Sequence, residues 1–130
     1  MPTRREARER ALGLEYECEQ RGLRADELLD QLPVPPDVYA SLLIRGVDEH
    51  REEIDVLLRK YSEHWALERM PAIDRALLRI GVFELAWVPD TPTGVVISEA
   101  VELAQAYSTK DSGRFVNGLL SRIGDELRGE

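Results

Sequence analysis

The sequence has little of what most metal sites and many catalytic sites require. Of its 130 residues, one is a cysteine, Cys18, and two are histidines, His50 and His64. A single cysteine excludes an internal disulfide and a cysteine-based metal site. Cys18 falls in a helical pattern where a small apolar residue fits, which predicts a packing role. The histidines form no HExxH pattern, so we expect no metal site and no cofactor, and either histidine fits the protein surface.

Long apolar runs and glycine-rich phosphate motifs are also missing. No apolar run approaches the roughly 20 residues that a membrane span needs. The charged N-terminus, residues 1–6, is not followed by the apolar segment of a signal peptide. We therefore expect a cytoplasmic protein without a membrane partner. The patterns GxGxxG, GxxxxGK[ST] and GxSxG are absent, and we expect no enzymatic activity.

Helical patterns dominate what is present, and strand signals are nearly absent. Hydrophobic residues make up 43% of the chain, enough for the core of a single domain over residues 1–130. Thr3 with Glu6 predicts a capping box, and Gly22 a helix end. The periodicity predicts an all-α domain of about seven helices. They cover about Thr3–Gln20, Ala25–Gln31, Asp37–Val47, Arg51–Tyr61, Pro71–Trp87, Val95–Tyr107 and Asp111–Leu127.

Two glycines lie inside predicted helices, where each costs roughly 1 kcal/mol relative to alanine. These are Gly81 and Gly118. Without a Cβ, a glycine lets two helix backbones approach closely, so we interpret both positions as sites of close packing rather than of ligand approach.

The charge is strongly negative overall but unevenly distributed. The formal net charge is -8, which disfavours binding to nucleic acid. Residues 1–10 nevertheless contain four arginines and two glutamates. Arg4 and Arg8 lie one helical turn apart, and arginine matches phosphate oxygens with paired donors. The alternative is that the arginines neutralise neighbouring glutamates, as in the pair Arg5–Glu9.

A second candidate segment, residues 106–120, combines aromatic, polar and cationic side chains. Exposed Tyr107 and Phe115 can stack on unpaired bases, and Arg114 falls beside the free amides of a helix start. Asp111 and Ser112 suit either hydrogen bonds to base edges or the N-cap of the last helix. In the alternative interpretation the aromatics belong to the core and Asp111 is a plain cap.

These segments together resemble one known family. The segments 4–9, 74–80, 83–85, 97–104 and 111–118 are similar to characteristic stretches of the NusB family of bacterial transcription antitermination factors. The strings ISEAVELA and DSGRFVNG are the most specific of them. They occur in the expected order from about residue 4 to residue 124.

The resemblance implies an all-helical fold of two packed helical subdomains, and it implies no catalytic activity. It also implies binding of the single-stranded boxA element of ribosomal RNA leader transcripts, together with the ribosomal protein NusE, in the transcription elongation complex. The RNA-binding residues implied by position are Arg4, Arg5, Arg8, Tyr107, Asp111, Ser112, Arg114, Phe115 and Asn117. The implied NusE-binding residues are Tyr16, Glu68 and Asp74.

Two alternatives remain open at this stage. Glu6 and Glu9 dilute the N-terminal basic motif, and the net charge is acidic. A helical protein-interaction module, either a homodimer that covers the arginines or a docking subunit, therefore stays open. A NusB-like domain detached from a ribosomal RNA methyltransferase is less favoured, because the sequence contains no cofactor-binding segment.

Overall fold

The computed structural model describes residues 1–63 and 65–129, and within them it contains seven α-helices and one 3-10 turn. The all-α prediction is confirmed. His64, weighed above as a metal ligand, lies outside the described residues. The helices are α1 (Arg4–Arg21), α2 (Ala25–Gln31), α3 (Val38–Glu49), α4 (Arg51–Tyr61), α5 (Ala72–Trp87), α6 (Thr93–Tyr107) and α7 (Ser112–Arg128), with the 3-10 turn at Leu67–Arg69.

The ends of α1 follow directly from local sequence. The Thr3 hydroxyl accepts the amide of Glu6 at 3.0 Å, and the Glu6 carboxylate accepts the amide of Thr3 at 2.9 Å. This is the predicted capping box. At the other end Gly22 adopts a φ of 66°, a left-handed conformation that glycine tolerates without steric cost.

α6 departs from the prediction in its start and in its buried face. It begins at Thr93, directly after Pro92, rather than at Val95. The apolar pattern predicts an inward face of Ile97, Ala100, Val101 and Ala104. The two alanines are buried as predicted, but Ile97 and Val101 are only half-buried, and Val96 and Leu103 are buried instead. The reason is that α6 packs against both α5 and α7, so its buried stripe is centred about one residue earlier than the apolar pattern indicated.

α5 is the central helix of the fold. It contacts α1, α3 and α4 on one side and α6 and α7 on the other. α1 packs on α3 with α2 against both, while α6 packs along α7. Buried side chains from all seven helices form one continuous hydrophobic cluster. Among the described helices, none combines the length and the apolarity needed to cross a membrane.

The two mid-helix glycines have different environments. A Cβ at Gly81 would lie 2.8 Å from a methyl carbon of Leu120, so α5 and α7 approach closely there and the packing interpretation is confirmed. A Cβ at Gly118 would meet nothing within 4 Å. The packing interpretation of Gly118 is therefore wrong, because this position faces outward on α7.

Candidate nucleic-acid interface

The first turns of α1 and the end of α6 lie side by side. Tyr107, the last residue of α6, donates its hydroxyl to the carboxylate of Glu9 on α1. The Tyr107 side chain remains half exposed. The fold thus joins the two segments that the sequence singled out, residues 4–10 and 107–117, into one surface, which we call the arginine–loop surface.

Arg4 and Arg5 are exposed on this surface, and each contacts other side chains of the protein. The guanidinium carbon of Arg4 lies 3.9 Å from the centre of the Tyr39 ring, a cation–π contact. Arg5 donates through Nε to Glu99 at 2.6 Å and through Nη2 to Glu102 at 2.8 Å. These hydrogen bonds raise the pKa of Arg5 above its ordinary value. The expected pairing of Arg5 with Glu9 is wrong, because the acids of α6 bind Arg5.

Arg8 is an interior residue, contrary to its predicted role as a phosphate contact. Only 4% of it is exposed, and it binds the buried carboxylate of Glu84 through Nε and Nη2, at 2.9 Å each. Tyr39 donates its hydroxyl to the same carboxylate. Burial, together with this hydrogen bond, raises the pKa of Tyr39 to about 12. Arg8 therefore anchors α1 to α5, and in this conformation it cannot reach an RNA phosphate.

Ser112 and Asp74 are also buried and bind each other, and their contacts with RNA and NusE stay predictions. Both oxygens of the Asp74 carboxylate accept hydroxyls, one from Ser108 and one from Ser112 at 2.9 Å. The Ser112 oxygen in turn accepts the amide of Thr109 at 3.1 Å. We call this arrangement the Asp74 latch. It ties the α6–α7 loop to the first turn of α5, so Asp74 and Ser112 position the loop.

Asp111 occupies the predicted N-cap position of α7, but its side chain makes no capping hydrogen bond to the helix. It is exposed, as are Arg114 and Asn117. Together with Lys110 and Gln105 these side chains line a polar depression of about 330 Å³ at the start of α7. An exposed lysine and arginine beside a helix N-terminus suit an anionic group such as phosphate.

An apolar groove of about 340 Å³ lies on the other side of the loop. Trp65 and Phe115 form its aromatic walls, with ring centres 6.4 Å apart and planes tilted by 58°. Asp74, Asp111 and Ser112 also line the groove. Trp65 is 53% exposed, whereas Phe115 is half-buried and packs against the core as well as the groove. Both interpretations of Phe115 thus hold in part.

Trp65 is the residue of this surface that sequence reasoning missed. The sequence placed it in a bend between two helices and assigned it no role. A tryptophan in a short connector is a usable signal, because so large an apolar ring in a loop is normally either packed or held for binding. Only the fold shows that its neighbour across the groove is Phe115, fifty residues later in the chain.

The predicted partner-binding residues lie on three different elements of the fold. Tyr16 on α1 and Glu68 in the 3-10 turn are exposed, and Glu68 pairs with Arg59 at 3.0 Å. Asp74 instead lies in the latch described above. The role of Tyr16 and Glu68 therefore stays a prediction for two surface residues.

His50 does not have the free surface position that the sequence allowed. It is half-buried, and its ring stacks on Trp87 at a centroid distance of 3.8 Å. Within residues 1–63 and 65–129, no three side chains of histidine, cysteine, aspartate or glutamate are arranged to hold a metal ion.

The fold and this surface define a small all-α protein in which a mixed basic and aromatic face is built around the α6–α7 loop. Residues 5–125 match the model of the NusB family. The chain belongs to the NusB family. It is 50% identical over 129 residues to the transcription antitermination protein NusB of Kineococcus radiotolerans, covering 96% of this chain and 95% of that one.

Solved structures agree with this assignment. NusB of T. maritima superposes with a TM-score of 0.85 at 36% identity, covering 96% of this chain and 92% of that chain. A structure of the antitermination factors NusB and NusE in complex with double-stranded RNA gives a TM-score of 0.81 at 31% identity, covering 95% of this chain and 96% of that one.

Proposed function

We propose that this protein is a transcription antitermination factor. In this role it binds the single-stranded boxA element of ribosomal RNA leader transcripts, together with NusE, within the transcription elongation complex in the cytoplasm. It acts by binding and performs no catalysis. The names of its relatives and the solved complex of a related NusB with NusE and RNA support this proposal.

The observation that carries the proposal is the contact between Tyr107 and Glu9. It brings the N-terminal arginines and the α6–α7 loop onto one continuous surface, as a single RNA strand requires. The residues that we propose to contact RNA directly are Arg4, Arg5, Tyr107, Asp111, Arg114, Phe115 and Asn117. Arg8 and Ser112 support them from the interior.

Two parts of the surface supply different components of binding. The cations Arg4, Arg5 and Arg114 attract phosphates, which gives affinity that depends on salt but not on sequence. The groove lined by Trp65 and Phe115 offers an aromatic surface on which an unpaired base stacks, while polar groups beside it contact the edge of the base. Sequence preference therefore arises at the loop and general affinity at α1.

The partner contact is proposed at the exposed Tyr16 and Glu68. The second candidate function is a protein-interaction module, either a homodimer or a docking subunit. The net charge of -8 favours it, and so does the engagement of Arg5 by acids of the same chain. A stable dimer that excludes RNA at every protein concentration would support this second function.

The deciding experiment is a fluorescence-anisotropy titration of a labelled boxA-type RNA and a scrambled RNA. It is performed with and without NusE at two salt concentrations. We expect preference for the boxA-type RNA, tighter binding with NusE and weaker binding at higher salt. Absence of binding to both RNAs, even with NusE, would overturn the proposal and favour the protein-interaction module.

A further inference from the structure

Two side chains of the arginine–loop surface that we propose to contact RNA are already hydrogen-bonded to carboxylates of the same chain. Arg5 binds Glu99 at 2.6 Å and Glu102 at 2.8 Å, while the hydroxyl of Tyr107 binds Glu9. Arg5 and the hydroxyl of Tyr107 therefore both have anionic partners from the same chain.

The two acids at Arg5 differ in their surroundings. Glu99 and Glu102 lie one turn apart on α6 and both reach towards α1. The Glu99 side chain is only 14% exposed and also accepts a hydrogen bond from the buried Arg8 at 3.2 Å. The Glu102 side chain is 51% exposed and the Arg5 side chain is 44% exposed. Glu99 is thus part of the fold, whereas Glu102 can move away from Arg5 without disturbing the core.

This arrangement opposes the approach of a phosphate. One guanidinium between two carboxylates leaves a local charge of about -1 instead of +1, since each carboxylate contributes one negative charge. A phosphate would compete for the same N–H donors that the carboxylates already hold. It would also leave the displaced Glu102 with only the Ser98 hydroxyl as a partner, beside the negatively charged RNA backbone.

We propose that Glu102 limits the sequence-independent affinity of this surface for RNA by holding Arg5 in competition with phosphate. This inference rests on the proposed RNA-binding function. Arg5 contributes little to binding while Glu102 is in place. An RNA that offers only phosphates is held weakly, and tight binding requires a base in the groove beside Phe115 as well. The acidic partners thus determine how much of the affinity depends on the loop.

The test compares the parent protein with Glu102→Gln in the same anisotropy titration at about 50 mM salt, where surface charges are screened least. We expect roughly threefold tighter binding of both the boxA-type and the scrambled RNA, the size typical of one surface charge pair. The plot of log K against log salt should steepen by about 0.7, as for one added phosphate contact on a single strand.

Glu52→Gln is the matched control, because it removes one exposed acid from α4 and changes the net charge by the same amount. It should leave both affinities and the salt slope unchanged. A second control is a double-mutant cycle with Arg5→Ala. The gain from Glu102→Gln should disappear in the Arg5→Ala background, because the gain acts through Arg5.

The outcomes separate this inference from the proposed function. If the parent binds RNA and Glu102→Gln binds it no more tightly, the competition is absent. An equal gain in the Arg5→Ala background, or an equal gain from Glu52→Gln, would mean a general charge effect and would also overturn it. If neither the parent nor any variant binds either RNA, both the RNA-binding function and the inference that rests on it fail. Thermal unfolding of each variant shows that the fold is kept.

Discussion

The guanidinium of Arg8 and the carboxylate of Glu84 form a bidentate ion pair in the interior, with the Nε–Oε1 and Nη2–Oε2 distances both 2.9 Å. The pair joins α1 to α5, and the Tyr39 hydroxyl adds α3 to the same carboxylate. Arg8, a residue of the N-terminal arginine motif, therefore helps to hold α1, α3 and α5 together. Its neighbours Arg4 and Arg5 are left at the surface.

Removing this arginine should destabilise the protein. In Arg8→Ala the Glu84 carboxylate stays buried and loses its main partner, which we expect to lower the free energy of unfolding by about 3–5 kcal/mol. Urea denaturation followed by circular dichroism measures the change. Arg10→Ala, at an exposed position, should stay within about 0.5 kcal/mol of the parent. Equal stability of the two variants would contradict the anchoring role.

Arg8→Glu is a poor probe of phosphate contact, because it places a second carboxylate against Glu84.

The role of Tyr107 can be divided between its ring and its hydroxyl. Tyr107→Ala removes a surface for base stacking, and such a loss typically costs about 1–3 kcal/mol per base. We expect the preference for boxA-type over scrambled RNA to fall in the anisotropy titration. Tyr107→Phe keeps the ring and loses only the bond to Glu9, so it should retain the preference. A Tyr107→Ala variant that discriminates like the parent would remove Tyr107 from the site.

The Asp74 latch should stabilise the α6–α7 loop. Ser112→Ala deprives one Asp74 oxygen of its donor and the Thr109 amide of its acceptor, which we expect to cost about 1–3 kcal/mol. Hydrogen exchange of the amides at residues 109–112 should accelerate more than exchange elsewhere. Ser121→Ala is the control, because its hydroxyl donates to the exposed Asn117 on α7, away from the loop. Unchanged exchange in the loop would show that the latch does not hold it.

The two mid-helix glycines should respond oppositely to alanine. Gly81→Ala places a Cβ against Leu120 and should destabilise the protein by about 1–3 kcal/mol through overpacking. Gly118→Ala points into open space and should stabilise α7 by up to about 1 kcal/mol. Thermal denaturation of both variants measures the pair. Stabilisation by both substitutions would mean that the α5–α7 approach is looser than described.

Stability should depend on acid pH through Glu19. Hydrogen bonds from Arg75 hold the pKa of Glu19 below its ordinary value of 4.5. The folded protein then binds the Glu19 proton less readily than the unfolded chain does. This contribution is complete above the ordinary value and is lost as the pH falls through the lower folded pKa. Glu19→Gln should therefore be less stable than the parent at about pH 7, and the gap should narrow towards about pH 3.

Chemical denaturation across that range measures the gap between the parent and Glu19→Gln. Glu49→Gln, at an exposed position near the end of α3, is the control and should change the stability at about pH 7 less than Glu19→Gln does. A Glu19→Gln gap of constant size from neutral to acid pH would show that the ion pair with Arg75 contributes no pH-dependent stability.

Local signals in the sequence were sufficient to predict where the helices lie. The capping box at Thr3, the left-handed Gly22 and the prolines before α5 and α6 each act within a few residues, so their effect can be read along the chain. The face of α6 was harder to predict. The apolar stripe of α6 is wider than the part of it that becomes buried. The sequence alone therefore does not show which residues lie at the centre of the buried face.

The sequence by itself determined that this protein is an all-α domain with a basic first helix and an aromatic, polar loop before the last helix. Only the tertiary structure decided which of those residues face solvent. Arg8 and Arg5 are three positions apart on α1, yet Arg8 meets Glu84 in the core and Arg5 meets Glu102 at the surface. The reason is physical: helix periodicity orders residues around one axis, but burial and pairing of a charge depend on carboxylates brought from helices seventy or more residues away.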